Sequence, residues 1–447
     1  MAVMQWNAES DGSCRLQDPI FESGNVSEAP LKLEDTILSG DVSTAPESTD
    51  LLIVGAGLSG AVLAERCSKE LGMTSLIIDK RDHIGGNCKG LGYDYEPGLA
   101  VCTLQERVDS NGIRCSKYGA HLFHTQFERV WEYVSNFSEW IPFDHRVKGL
   151  VEDKAGVKRL TVNTLFEESV CSEADMQAWY DKERLPPPGG EPKNGEEAAL
   201  SRVGPRLFEK VFKHYTKKQW DRTNTLLSWT QACPVAESSV ERDEKSAAIR
   251  LRLRDPNISI RLNCDFFQLK EAGRLPKHKL LVYTGQIDSY YSALGMPKLE
   301  YRSLRFEEEF VPEPDGGFFQ EAMVVNHPSP DVPFTRIVEY KHVPNQPQEV
   351  KDGKVKGTLI AREYSSAEGE PYYPVPNPAN RALYEKYADL AAREEGVAFV
   401  GRLASYKYFN MDQAILNALE MFDNLKETGK LEPKRKPEDF GPGDGPK

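Results

Sequence analysis

The segment that most constrains this chain runs from Leu51 to Asp79. A short apolar run, Leu51–Val54, leads into Gly55-Ala-Gly57-Leu-Ser-Gly60. Residues Ala61–Glu70 then take helical spacing, and Ser75–Asp79 is a second apolar run ending in an acid. The change from continuous to helical hydrophobic period marks a strand–turn–helix–strand unit. In such a unit Gly55 permits the tight turn, Gly57 lets a backbone approach a pyrophosphate, and Gly60 lets helix and strand pack closely. The helix start, with Leu58 and Ser59, offers free N–H groups to phosphate oxygens. Asp79 stands where an acid accepts from a ribose hydroxyl. Three glycines alone are also met in ordinary turns, and the flanking unit is what favours a dinucleotide.

A paired-glycine turn follows in Lys80–Asn87. Gly86 and Asn87 in that position suit FAD-binding proteins better than NAD dehydrogenases, with an ordinary loop as the other reading. Apolar stretches at Phe318–Asn326, Phe334–Tyr340 and Gly357–Glu363 alternate with polar residues and predict an antiparallel sheet. Residues 160–220 read as helical around a loop at Leu185–Gly190, and a helix near Asp412–Glu427 follows a strand at Val397–Val400. The predicted fold class is α/β: a split Rossmann-like domain, a helical insertion and an antiparallel β-sheet domain.

At 447 residues the chain is long enough for two or three structural units. Of its net charge of −13, residues 1–50 hold −8, from ten acids and two bases. The remaining acidic balance argues against nucleic acid or an anionic membrane as partner. No apolar run approaches the roughly 18–20 residues of a membrane span. The eight cysteines, Cys14, Cys67, Cys88, Cys102, Cys115, Cys171, Cys233 and Cys264, form no CxxC pair. Reduced thiols and a cytoplasmic location are therefore expected, and no metal site is. The start of the chain lacks the basic and apolar regions of a secretory signal.

Several longer segments are distinctive. They are Asp79–Asn87, Tyr118–Thr125, Tyr215–Trp220, Tyr283–Asp288, Phe334–Glu339 with Lys341 and His342, Arg362–Tyr364, Glu370–Pro374 and Gly401–Asp412. In this order they resemble the UDP-galactopyranose mutase family, bacterial type, over most of residues 50–427. The resemblance implies an isomerase that interconverts UDP-galactopyranose and UDP-galactofuranose on FAD, active in the reduced form. In that mechanism flavin N5 attacks the anomeric carbon, UDP leaves, and an N5-flavin–sugar iminium lets the ring open and close again.

Carried over residue by residue, the resemblance puts His121 and His124 against the flavin ring, although two histidines in a glycine-led loop could equally be core side chains. It puts Arg402 near the FAD pyrophosphate, and the helix after Met411-Asp412 towards the flavin. Arg336 would grip the substrate diphosphate, assisted by Tyr373 and Tyr408, while Tyr215 and Trp220 flank uridine and sugar. Taken singly, each of these aromatics is better explained as a half-buried core side chain, and it is their joint place in the family's order that favours the site. The implied partners are a UDP-sugar and an external reductant such as NAD(P)H or a reductase, with room for a homodimer.

The pattern breaks in three places. Residues 221–255 show neither the family's second diphosphate arginine nor its flavin-contacting Tyr-Gln stretch, Asn410 replaces a common acid, and residues 88–116 are long for a connection. A mutase for a related UDP-sugar, or a catalytically silent flavin or UDP-sugar binding protein, are the alternatives. The expected organisation is an acidic disordered leader at 1–48 and FAD-domain parts at 49–130, 226–295 (with the divergent loop) and 372–429. The sheet domain takes 131–159 and 296–371, the helical substrate domain 160–225, and a flexible tail 430–447.

Overall fold

The computed structural model describes residues 46–88, 107–137, 173–223, 255–312 and 317–432. It also describes short pieces at 6–8, 14–16, 37–39, 140–143, 145, 147–152, 158–161, 227 and 245–246. Most of the expected leader, residues 89–106, most of 221–255 and the tail beyond 432 lie outside the described residues.

Strand β1 (Ser48–Val54) turns at Gly55 into helix α1 (Leu58–Leu71), which stops at a left-handed Gly72 before β2 (Ser75–Ile78). Leu51, Leu52, Ile53, Leu76, Ile77 and Ile78 are fully buried. A run without polar alternation means burial on both faces, the condition of a central parallel strand. The sheet has six strands in the order Val397–Phe399, Lys277–Tyr283, β1, β2, Ile258–Leu262 and Ile37–Ser39. Every pairing in it is parallel. This is the expected Rossmann-like layer, assembled from distant parts of the chain. One piece of the leader, Ile37–Ser39, adds its edge strand.

The helical stretch holds Glu173–Glu183, Gly195–Leu207 and, after a π-helical turn at Phe208–Phe212, α2 (Lys213–Trp220). It begins later than residue 160, because Lys158–Thr161 pairs with Val147–Glu152 as a strand. Gly204, at φ 77°, kinks the middle helix where a Cβ would lie 2.3 Å from the Glu183 carbonyl oxygen.

A seven-stranded sheet forms the second layer. Its order is Lys158–Thr161, Val147–Glu152, Val324–Asn326, β3 (Arg336–Glu339), β4 (Gly357–Ser366), Tyr301–Pro312 and Tyr373–Pro374. All its pairings are antiparallel except Val147–Glu152 with Val324–Asn326. The strand expected over Phe318–Asn326 is confined to Val324–Asn326. The buried Glu339 carboxylate accepts the backbone N–H groups of Phe319 and Gln320, both at 2.9 Å, so these are not free for a ladder. Phe318 and Phe319 are left exposed. Helix α3 (Met411–Thr428) returns to the first layer and packs along α1. Among the described residues no helix is long and apolar enough to cross a membrane.

The α1–β1 packing makes a direct prediction. A Cβ at Gly60 would sit 2.3 Å from the Gly55 carbonyl oxygen and 3.0 Å from Ile53 Cγ2. Gly60→Ala must therefore push backbone apart, at about 1–3 kcal/mol. A thermal melt should show the loss, and a Gly60→Ala melt matching wild type would contradict this packing.

Candidate functional site

The glycine turn is held from three sides. Gly55, at φ 111°, donates its N–H to the Ile78 carbonyl, and Thr284 Oγ1 occupies the place its Cβ would take. Gly85 donates to the Ala56 carbonyl at 2.8 Å, which brings Gly86 so near that its Cβ would lie 3.2 Å from Gly57 Cα. Asp79 accepts from the backbone N–H of Ala56 at 2.8 Å and of Arg81 at 2.9 Å. Its carboxylate thus organises the turn itself, and only its remaining lone pairs are left for a ribose. The start of α1 has no side-chain cap and no acid in its first turn. A helix N-terminus bare on its own side and lined by glycine suits a pyrophosphate. Lys80 is exposed, and Asn87 is half-buried in the adjoining turn.

The start of α3 meets the same place. Ser59 Oγ donates to the Ala414 carbonyl at 3.3 Å, and Gly401 lies so close to Ser59 that its Cβ would be 2.9 Å from the hydroxyl. Met411 is half-buried and Asp412 is buried. Burial raises the Asp412 carboxyl above the ordinary carboxylate range, against the opposing pull of His124 and Thr125. The histidine loop therefore abuts the α3 start. His124 is exposed, whereas His121 is half-buried. Burial pulls His121 from its ordinary 6.5 down to about 4, and the Arg402 and Arg336 charges pull the same way. Its Nδ1 lies 2.8 Å from the Gly119 carbonyl, which can only accept. The neutral ring consequently carries its proton on Nδ1 and presents Nε2 as an acceptor.

Arg336 belongs to a row that crosses four strands: Asn326 pairs with Arg336, Arg336 with Glu363, and Glu363 with Phe306. Arg336 Nε donates to Glu363 Oε2 at 2.5 Å, and Glu363 is 1% exposed. Burial opposes the guanidinium charge, but Glu363 outweighs it and raises the arginine further. Glu363 Oε1 and Asn326 Oδ1 are buried without a hydrogen-bond partner among the described residues. Among the described residues only Nε of Arg336 has a hydrogen-bond partner, which leaves its two terminal nitrogens for an oxyanion.

The aromatic candidates come together beside this row. Tyr373 and Tyr408 stack at 5.1 Å and 15°, and Trp220 meets both edge-on at 6.2 Å. The Arg402 guanidinium lies 5.6 and 5.5 Å from the two tyrosine ring centres. It also donates to the Phe409 and Tyr372 carbonyls. Arg402 thus touches the tyrosine pair as well as influencing His121 and Cys88. Tyr215 lies within the fields of Arg336 and Tyr408. Trp220 is only 3% exposed, packed under the tyrosines and Leu227, so in this conformation it supports the aromatic wall from behind.

Glu363 received no role from the sequence, although it sits in a segment that carried the resemblance. Two further links went unread: His83 Nε2 with the Tyr118 hydroxyl at 2.8 Å, and Lys218. No group of three or more metal-ligating side chains occurs among the described residues. The site joins a phosphate-ready helix start, a neutral histidine and two arginines among tyrosine hydroxyls. It can hold a dinucleotide on one side and an anionic sugar nucleotide on the other.

A family model described as UDP-galactopyranose mutase matches residues 245–408, and one described as an NAD(P)-binding Rossmann-like domain matches residues 53–137. The chain is 35% identical over 394 residues to a probable UDP-galactopyranose mutase of Klebsiella pneumoniae, covering 84% of this chain and 94% of that one. It is 30% identical over 399 residues to the dTDP-fucopyranose mutase of Escherichia coli, covering 83% and 96%. Among solved structures it is similar in fold to reduced UDP-galactopyranose mutase, with a TM-score of 0.58 at 15% identity, covering 85% and 94%.

The depressed His121 fixes a sign for pH dependence. The unfolded chain protonates this histidine near 6.5 while the folded protein resists until about 4. Stability present above 6.5 should be lost as pH falls through that window, by about 1–2 kcal/mol for a half-buried ring. Denaturant melts at pH 7 and pH 4.5 measure the loss, and His121→Asn should shrink it.

Proposed function

Because the chain belongs to the UDP-galactopyranose mutase family, we propose that this enzyme is a flavin-dependent isomerase that interconverts UDP-galactopyranose and UDP-galactofuranose. The observation that supports it most is Arg336, held through Nε by a buried carboxylate, with its terminal nitrogens unengaged among the described residues. That is an arrangement for gripping a diphosphate, not for a structural ion pair alone.

On this reading Gly55, Gly57, Leu58, Ser59, Gly60, Asp79, Lys80, Gly86, Asn87, Met411 and Asp412 hold FAD. Bound FAD, in its reduced form, supplies the electron pair that carries the sugar through ring opening. Arg336 balances the diphosphate charge as it becomes a leaving group, the Tyr373 and Tyr408 hydroxyls donate to it, and Arg402 stands by the FAD pyrophosphate. Tyr215 and Trp220 shape the nucleoside end. His121, neutral at working pH, offers Nε2 as a hydrogen-bond acceptor without adding a third positive charge. Keeping the flavin reduced requires an external donor such as NAD(P)H or a reductase. The division of the chain into split cofactor domain, helical substrate domain and sheet domain belongs to the same proposal.

The test is to load the protein with FAD, reduce it with dithionite and add UDP-galactofuranose. UDP-galactopyranose should form, and the oxidised protein should form none. Absence of product with reduced flavin bound would sink the assignment. Arg336→Ala should raise KM by about 10–100-fold, the loss of a charged hydrogen-bonding pair. The 30% identity to a dTDP-fucopyranose mutase supports a second reading, a related nucleotide sugar. Including dTDP-fucose in the same assay separates the two by their kcat/KM values.

A further inference from the structure

We infer that Lys218 is a positioning residue for the diphosphate site, the cation that fastens the substrate helix to the turn from which Arg336 emerges. The inference rests on the family reading for the identity of the ligand.

The turn His327–Phe334 contains Pro328, Pro330 and Pro333. Three prolines remove three N–H donors, so the turn has more carbonyls than it can satisfy itself. Lys218, on α2, answers the surplus. Its three N–H groups are shared among four carbonyls, those of Ser329 at 3.0 Å, Val332 at 3.2 Å, Phe334 at 2.8 Å and His327. Those of His327, Ser329 and Val332 each precede a proline. Four carbonyl dipoles and no carboxylate form the cage. Burial lowers Lys218 to about 8, which still leaves it charged at neutral pH.

What lies on either side of the cage gives it a function. On α2, Tyr215 is one turn before Lys218 and Trp220 two residues after it. The next carbonyl, Gln219, accepts from Ser365 Oγ at 2.5 Å and from the buried Arg302 at 3.2 Å. That ties the helix end to β4 and to the long strand beside it. Beyond the turn, His327 N–H donates to the Thr335 carbonyl and Thr335 N–H to the Glu363 carbonyl, both at 2.8 Å. Arg336 follows at once. Removing the cation leaves four acceptors facing one another and frees the turn to move relative to Tyr215. Diphosphate affinity then falls, while the cofactor side of the molecule, built on α1 and α3, is untouched.

The experiment compares Lys218→Met, Lys218→Gln and Lys218→Arg in FAD-loaded protein. UDP affinity is read by calorimetry on the oxidised form, KM and kcat on the reduced form, and flavin content by absorbance. Lys218→Met should weaken UDP binding and raise KM by about tenfold or more. Its kcat and bound flavin should stay near wild type. The glutamine variant should fall between, and arginine, which keeps the charge, should restore most of the affinity. If the methionine variant does not fold, the glutamine–arginine difference in UDP affinity decides. Wild-type UDP affinity in Lys218→Met, or an equal loss of kcat, flavin and affinity that arginine does not rescue, overturns the inference. Wild-type protein that fails to bind UDP at all overturns the UDP-sugar assignment, and this inference with it.

Discussion

The pairing of Arg336 with Glu363 fixes the charged row at the centre of the candidate site. A buried carboxylate is costly unless it is paired, and Glu363 is nearly sealed from solvent with one oxygen on Arg336 Nε and the other without a partner among the described residues. The pair therefore fixes both residues: the arginine cannot swing away without stranding a charge, and the glutamate cannot relax towards water. Because both side chains sit in one cross-strand row, the antiparallel sheet sets their register, and slipping by one residue would turn the row to the other face. Gly119 packs against this row, where a Cβ would lie 3.3 Å from Glu363 Oε1. The histidine loop is thereby seated by the same ion pair.

The electrostatics of the site follow from that seating. Two guanidinium groups, Arg336 and Arg402, stand near His121 and help keep it neutral. A carboxylate left unpaired beside them would offset that charge. Glu363 avoids this by spending its charge on Nε from beneath. The arrangement resolves the contrast with the acidic chain as a whole: a net charge of −13 says little about a place where two guanidinium groups flank one histidine.

The fold's first layer was legible because its signals are local. The run Leu51–Val54, the three glycines and the acid at Asp79 each have a backbone reason, and the family resemblance ordered the rest. What could not be read is set by long-range partners. The stretch Phe318–Asn326 alternates like a strand, yet Glu339, far along the chain, takes two of its N–H groups. How far Trp220 is exposed could not be read either, since it depends on Tyr373, Tyr408 and Leu227 closing over it. Lys218 carries no local signal, because the carbonyls that surround it belong to a proline-rich turn over a hundred residues away.

The discontinuity of the parallel sheet bears on how this chain becomes a protein at all. β1 pairs with Lys277–Tyr283, and that strand in turn pairs with Val397–Phe399. During synthesis the glycine turn and α1 emerge early, but one flank of β1 stays without its neighbour until residue 283 has been made. Contacts this far apart in sequence close slowly, and an unpaired apolar strand edge is open to wrong partners in the meantime. The order of the strands thus makes the nascent cofactor domain the segment with most need of protection, and completion of the helical insertion and the sheet-domain strands has to be interleaved with its closure.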